Sequence, residues 1–316
     1  KGNFLATTET DAYKFADIII VDINLDVEKQ NHNSGKLIDY TVDLSSFKTA
    51  ISSIGKNCKE DTLILVETTV PPGTCMEVVK PIIHNCLRKR NLPLGKIKIG
   101  HSYERVMPGP GYIDSIQNFY RVYSGIDEKS ANAVESFLHT IIRTDKYPLT
   151  RLESTNATEM AKVLENSYRA MNIAFMVEWS RFAEEAGVDL YEVVNAIRLR
   201  PTHANLMYPG IGVGGYCLTK DALLASWARQ NLIGKNDPLL LSEKAININD
   251  QMPKYAFEFL QKRYPNLSDS KVLLLGVSYR GDVGDTRSSP VENLFNYLSE
   301  VGAIVSCHDS YVEYWN

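Results

Sequence analysis

The run Tyr208-Pro-Gly-Ile-Gly212-Val-Gly214-Gly-Tyr-Cys217-Leu-Thr-Lys220-Asp221 sets one thiol directly behind a loop of glycines. Glycines lack a Cβ, so such a loop can bring backbone N–H groups close to an anionic ligand. The pattern predicts a helix from about Thr219, which leaves Cys217 near a helix N-terminus with Lys220 close by. Both surroundings favour a thiolate. A solitary cysteine is more often a small buried hydrophobe, but in this loop it reads as a nucleophile.

In Glu159-Met-Ala-Lys162-Val-Leu-Glu-Asn166-Ser-Tyr-Arg169 the positions i, i+4 and i+7 put Lys162, Asn166 and Arg169 on one helix face. Lysine and asparagine together can donate to a developing alkoxide or oxyanion. A solvated strip is the other reading of the same spacing. Thr68-Thr69-Val-Pro71-Pro72-Gly73-Thr74 ends a strand and precedes a helix. In a doubly wound sheet that is the ligand crevice, although a proline-led helix start fits equally well. Ser102-Tyr-Glu104-Arg105-Val-Met-Pro108-Gly109 ends another strand, and Tyr279-Arg280-Gly-Asp-Val-Gly-Asp285-Thr-Arg287-Ser-Ser-Pro290 follows a third. Two arginines in a strand-to-helix turn suit a pyrophosphate, a plain surface turn being the alternative.

The elements that must hold these residues are legible as alternation. Asp17–Val21, Thr62–Val66, Ile97–Ile99 and Tyr120–Ser124 have strand length and β-branched or aromatic content. Helices are predicted around Leu44–Ile54, Thr74–Arg90 and Ser130–Ile142, so βαβ units and a parallel sheet covered on both faces are expected. From Thr158 to Ala186 there is no Gly or Pro and apolar residues fall on nearly every face. Such a helix is buried, either in a helical core or between domains or subunits. A loop over Arg200–Cys217, further helix to about Lys262, a strand at Lys271–Gly276, a helix at Val291–Val301 and a strand at Ile304–Cys307 complete the pattern.

With 316 residues and a net charge of −4, the chain holds several cores and lacks the basic footprint of a nucleic-acid partner. No apolar run reaches the roughly 18 residues of a membrane span, and the first residues show no secretory leader pattern. Five widely spaced cysteines read as reduced thiols of a cytoplasmic protein rather than a disulfide framework. No His or Cys cluster has metal-ligand spacing, so no metal is expected.

Taken together and in order, these segments resemble the UDP-glucose/GDP-mannose dehydrogenase family. Ile246-Asn-Ile-Asn-Asp250-Gln-Met252-Pro253 adds a match to the family's Asn-Asp-x-Met-Pro pattern. The resemblance implies an α/β fold: an incomplete Rossmann-like NAD domain over residues 1–150, a central helical dimerisation domain with a long helix over 151–262, and a truncated Rossmann-like UDP-binding domain over 263–316. It also implies NAD-dependent oxidation of a nucleotide sugar at C6, in two steps, through a thiohemiacetal and thioester on Cys217. Lys162 and Asn166 would stabilise the alkoxide and oxyanion, Asp221 would order water and the lysine, and Thr69 and Glu104 would serve the water and proton network. Thr68, Thr69, Lys220 and Arg287 would contact NAD. Glu104, Arg105, Lys162, Asn166, Asn205, Tyr208, Gly212, Gly214, Tyr279 and Arg280 would hold the nucleotide sugar. The central helix would build a homodimer.

The sequence departs from the family in places. The phosphate loop that opens the family's NAD domain, with its acidic partner for the ribose, has no counterpart ahead of Asp17. Asn24-Leu25 stands where Thr-Pro is usual, Pro108 stands where the UDP-glucose branch has a second glutamate, and His203 replaces an arginine common upstream of the glycine loop. The run Glu-Arg-Val-x-Pro-Gly at Glu104–Gly109 favours a UDP-N-acetylhexosamine, with UDP-glucose and GDP-mannose as alternatives. A single-step 3-hydroxyacid dehydrogenase needs the lysine but not the cysteine. A module that only binds nucleotide sugar or dimerises is the non-enzymatic reading.

Overall fold

The computed structural model describes residues 4–31, 36–106, 109 and 111–315. Pro108, and with it the departure noted there, lies outside the described residues. The strands are β1 (Ile18–Val21), β2 (Val27–Asn31), β3 (Leu37–Val42), β4 (Leu63–Val66), β5 (Lys98–Tyr103), β6 (Val122–Gly125), β7 (Thr150–Arg151), β8 (Lys271–Leu275) and β9 (Ile304–His308). The helices are α1 (Ser45–Asn57), α2 (Lys80–Lys89), α3 (Tyr112–Gln117), α4 (Glu128–Leu138) and α5 (Thr155–Ala186). They continue as α6 (Leu190–Arg198), α7 (Asp221–Asn231), α8 (Leu240–Asp250), α9 (Met252–Arg263) and α10 (Pro290–Glu300).

The chain divides into two units. The first comprises Lys1–Asp26, Val42–Val163 and Trp227–Asp237. It contains a sheet of order β1-β4-β5-β6-β7. The run Leu63-Ile-Leu-Val66 is buried throughout, as a central strand covered on both faces must be. In β1 only Ile19 and Val21 are buried, while Ile18 and Ile20 remain exposed, so the expected double cover fails there. β1, β4 and β5 are parallel, but β6 runs antiparallel to β5, which corrects the expected parallel arrangement. The connection between them carries only the six-residue α3, not a full crossover helix. α4 lies so close to this strand pair that a Cβ on Gly125 would sit 2.2 Å from the Ala131 nitrogen.

The second unit comprises Val27–Thr41, Leu164–Ser226 and Pro238–Asn316. Its β2–β3 sheet has no counterpart in the sequence reading. Val27, Leu37 and Tyr40 from it pack on Ala170, Ala222, Leu223 and Ile246. β8 and β9 pair in parallel, and Val272, Leu274 and Val305 pack with Phe257 and Leu298 of α9 and α10. Leu273, Leu275 and Ile304 on the other face are exposed.

α5 spans 32 residues and is about 48 Å long at the usual rise. Within one copy of the chain α5 is buried on one face only. Val163, Ala170, Ala174 and Val177 are buried, but Met160, Leu164, Tyr168, Met171, Phe175, Trp179 and Phe182 are exposed. The apolar residues form two faces of different fate rather than one buried cylinder. Among the described residues no helix is long and apolar enough to cross a membrane.

Candidate functional site

In the first unit the loop after β4 is tied down by its own side chains. Thr68 Oγ1 accepts from the Ile23 N–H at 2.6 Å and lies 3.3 Å from the Val21 carbonyl, which locks the carboxyl ends of β1 and β4 together. Thr69 is half-buried beside it. Lys162 is buried, and its Nζ donates to the Glu104 carbonyl at 3.0 Å. The Glu104 carboxylate stands farther off at 3.7 Å and accepts from the Val106 N–H. The Lys162 ammonium also lies 5.4 Å from the centre of the Tyr103 ring, within reach of its negative face. Arg105 is engaged internally, donating to the Tyr120 carbonyl at 2.9 Å and the Tyr103 hydroxyl at 3.1 Å.

Two groups in this unit escaped the sequence reading. Glu159 is fully buried, and its two oxygens accept from the Gly73 and Cys75 N–H groups at 2.6 and 2.8 Å. Those N–H groups start the helical run that leads into α2, where carboxylates are favoured. Burial still dominates and pushes the Glu159 pKa up to about 7. An acid three residues before Lys162 on the same helix was the available signal. His101 is buried on β5 with Nδ1 at 2.9 Å from Thr158 Oγ1, and burial pushes its pKa down to about 3. Its imidazole is therefore neutral.

In the second unit Asn166 Nδ2 donates to Asp221 Oδ2 at 2.7 Å, and Lys220 Nζ lies 3.2 Å from Asp221 Oδ1. Asp221 is fully buried, and both its oxygens are engaged. Lys220 also faces the Tyr216 ring at 4.2 Å. Cys217 is exposed four residues before α7 begins, so the helix starts two residues later than the pattern predicts. Its carbonyl accepts from the Lys220 and Asp221 N–H groups, and the Thr219 hydroxyl donates back to the Gly215 carbonyl at 2.9 Å. The turn that carries Cys217 thus runs directly into Lys220 and Asp221, whose side chains form a buried group with Asn166.

Two glycines of this loop allow close packing against a neighbouring turn. A Cβ on Gly212 would fall 2.7 Å from Pro290 Cβ, and one on Gly214 would fall 2.4 Å from Tyr279 Cβ. The loop packs against the Tyr279–Pro290 turn, with the Gly215 N–H donating to the Arg287 carbonyl at 2.9 Å. The structure therefore brings Tyr279 and Arg287 to the Cys217 loop. The Arg287 guanidinium forms a two-point pair with Asp285, which holds that carboxyl below the usual range.

Other expected contacts lie apart. Asn205 donates to the Tyr168 hydroxyl at 2.7 Å, while Tyr208 stacks on Tyr191 and bonds Asn195. Arg280 is exposed on a groove of about 510 Å³ at the carboxyl ends of β8 and β9. There Asp309 accepts from the Tyr311 N–H at 2.8 Å and from the Val277 and Ser278 N–H groups at 2.9 and 3.0 Å, and these backbone donors, Tyr311 foremost, pull its pKa down to about 2. Arg169 is exposed, so only Lys162 and Asn166 of the predicted stripe are drawn into buried networks. Among the described residues no group of three His, Cys, Asp or Glu side chains could hold a metal ion.

Residues 1–142 match the UDP-glucose/GDP-mannose dehydrogenase family, NAD binding domain, and residues 156–251 match the central domain of that family. The chain belongs to the UDP-glucose/GDP-mannose dehydrogenase family. It is similar to a UDP-N-acetyl-D-mannosamine dehydrogenase of Methanocaldococcus jannaschii, 34% identical over 85% of this chain and 58% of that protein. A second of the same name, from Methanococcus aeolicus, is 29% identical over 99% of this chain and 65% of that protein. The solved structure of a UDP-D-ManNAc dehydrogenase from Pyrococcus horikoshii matches with a TM-score of 0.78 at 30% identity, over 97% of this chain and 68% of that one. The chain spans 58% and 65% of the length of the two curated relatives. Within the family frame, the central-domain match contains both the Asn166–Asp221 bond and the Cys217 turn.

Proposed function

We propose that the protein is an NAD-dependent dehydrogenase that oxidises a nucleotide sugar at C6 to the uronic acid through Cys217. The observation that carries this reading is the exposed thiol on a turn whose carbonyl accepts from the Lys220 and Asp221 N–H groups, next to the buried Asn166–Asp221 bond. The relatives' names make a UDP-N-acetylhexosamine, of the mannosamine type, the favoured substrate over UDP-glucose or GDP-mannose. Residues 1–150 would form part of the NAD-binding domain, 151–262 the central domain and 263–316 the start of the UDP-binding domain.

NAD+ would supply the oxidant, two equivalents in succession each taking one hydride from C6. The parallel edge of β1, β4 and β5, with Thr68 and Thr69 at its carboxyl end, fits one wall of a dinucleotide crevice. Loss of the first hydride turns the C6 alcohol into an aldehyde. The Cys217 sulfur adds to C6, forming an S–C bond and an alkoxide. Asn166, whose amide is oriented by Asp221, would donate to that oxygen, and the family resemblance gives Lys162 the same role. Loss of the second hydride gives a thioester. Water then adds at C6, the S–C bond breaks, and the carboxylate leaves with the thiol restored. Covalent capture keeps the aldehyde from escaping between the two oxidations.

Steady-state NADH formation by the full-length protein, with five nucleotide sugars and with Cys217→Ala, tests this. The panel is UDP-GlcNAc, UDP-GalNAc, UDP-ManNAc, UDP-glucose and GDP-mannose. Two NADH per sugar from one donor, lost in the variant, is the expected result. One NADH per sugar, or turnover without Cys217, removes the thioester route.

The same reading includes a cytoplasmic homodimer built on α5. Seven exposed apolar side chains on one helix exceed what a monomer ordinarily leaves uncovered. Sedimentation of Trp179→Glu should show monomer where the parent protein shows dimer. An unchanged sedimentation profile would move the interface elsewhere.

A further inference from the structure

The β2–β3 sheet reaches the turn that carries Cys217. Lys29 on β2 donates to Asp250 Oδ2 at 2.7 Å and lies 3.4 Å from the Thr219 carbonyl. Its side chain and that of Asp250 keep 20% and 12% of their surface in solvent, so the pair is largely withdrawn from water. Asn31, two residues along and therefore on the same face of the strand, also bonds Asp250. Thr219 closes the Cys217 turn, because its hydroxyl donates to the Gly215 and Tyr216 carbonyls at 2.9 and 3.2 Å. The platform under Lys29 is itself fixed to α8. The Leu37 N–H donates to Asn247 Oδ1 at 3.1 Å and the Tyr40 hydroxyl to Glu243 Oε1 at 2.7 Å.

We propose that Lys29 is a positioning residue for Cys217, holding the 215–221 turn in one register through the Thr219 carbonyl and Asp250. This rests on the reading of Cys217 as the nucleophile and adds a part to it. The ammonium cannot follow a shifted turn without leaving Asp250 buried and unpaired, which is strongly disfavoured. The rigid placement of the thiol thus depends on a strand pair distant in sequence from the central-domain residues it braces.

Cys58, Cys75 and Cys86 are buried, which leaves Cys217 and Cys307 as the exposed thiols. In a Cys307→Ser background, iodoacetamide alkylation of Cys217 is followed against pH by mass spectrometry. The parent, Lys29→Met and Lys29→Met/Asp250→Asn are compared. The double variant removes the uncompensated carboxylate and so separates positioning from stability. The expected result is a parent-like thermal midpoint in the double variant, with Cys217 alkylation changed about fivefold or more and kcat lowered about tenfold. Parent-like alkylation and kcat in the folded double variant would overturn the proposal and leave Lys29 a purely structural cation. Alkylation is read without turnover, so activity that survives Cys217→Ala would sink the nucleophile reading separately.

Discussion

Lys162 on α5 and Lys220 at the entry to α7 are both nearly fully buried, yet their surroundings treat the charge differently. Lys220 faces a buried carboxylate at 3.2 Å and an aromatic ring, so its charge is compensated in place. Lys162 is held by a backbone carbonyl at 3.0 Å, a ring face and a carboxylate only at 3.7 Å. A cation stabilised mainly by dipoles keeps more of its field for an anion that forms later. On the proposed function Lys162 would serve the chemistry, while Lys220 pairs with Asp221, which in turn orients Asn166. From the sequence alone both lysines carried functional roles.

The largest effect should come from breaking the compensated pair. Asp221→Asn leaves Lys220 buried without its counter-charge and should cost about 3–5 kcal/mol of stability, read by urea denaturation. A variant as stable as the parent would show that the pair does not hold this region. Lys162→Met should leave the denaturation midpoint close to the parent and lower kcat by about 10²–10³-fold, as loss of a donor to an oxyanion does. If Lys162→Met unfolds the protein while Lys220→Met only slows it, the two assignments must be exchanged.

Glu159 sharpens the comparison because it anchors the helix turn before Lys162. Its pKa in the folded chain is raised to about 7 from 4.5, so the folded state binds its proton more tightly than the unfolded state does. The resulting stabilisation is complete below about pH 4.5 and is lost as pH rises through 7. Denaturation midpoints of the parent should therefore fall across that window relative to those of Glu159→Gln. Parallel curves would place its titration elsewhere. The smallest effect belongs to Arg169→Ala. Its exposed side chain shares the predicted stripe but not the buried network, and the change should stay within about 0.5 kcal/mol with kcat unaltered.

Much of this was legible where local pattern and burial agree. Leu63–Val66, the long α5 and the Gly-Tyr-Cys217 loop all stand where the residues put them. The β2–β3 sheet was not, because Val27-Glu-Lys-Gln-Asn31 has no apolar alternation. The sheet is specified instead by contacts such as Lys29–Asp250 from β2 and Tyr40–Glu243 from β3, more than 200 residues away in the chain. The reversed direction of β6 is likewise a property of pairing, which its residues do not encode alone. In the glycine loop the sequence points to close backbone approach but not to the neighbour approached at Gly212 and Gly214. They admit Tyr279 and Pro290 at close range, a tertiary fact invisible in the loop itself. Glu159 was passed over because an acid in a helix gives no sign of whether its oxygens meet water or backbone.

The exposed apolar side chains of α5 carry a further consequence. Met160, Met171 and Phe182 repeat every eleven residues, as do Leu164 with Phe175 and Tyr168 with Trp179. Eleven residues make three turns of about 3.67 each, slightly looser than the free helix. The stripe therefore drifts in the sense opposite to that of a heptad seam. Two such helices laid along it would coil right-handed, so the handedness of any pairing is already written in the spacing of its aromatic and methionine side chains.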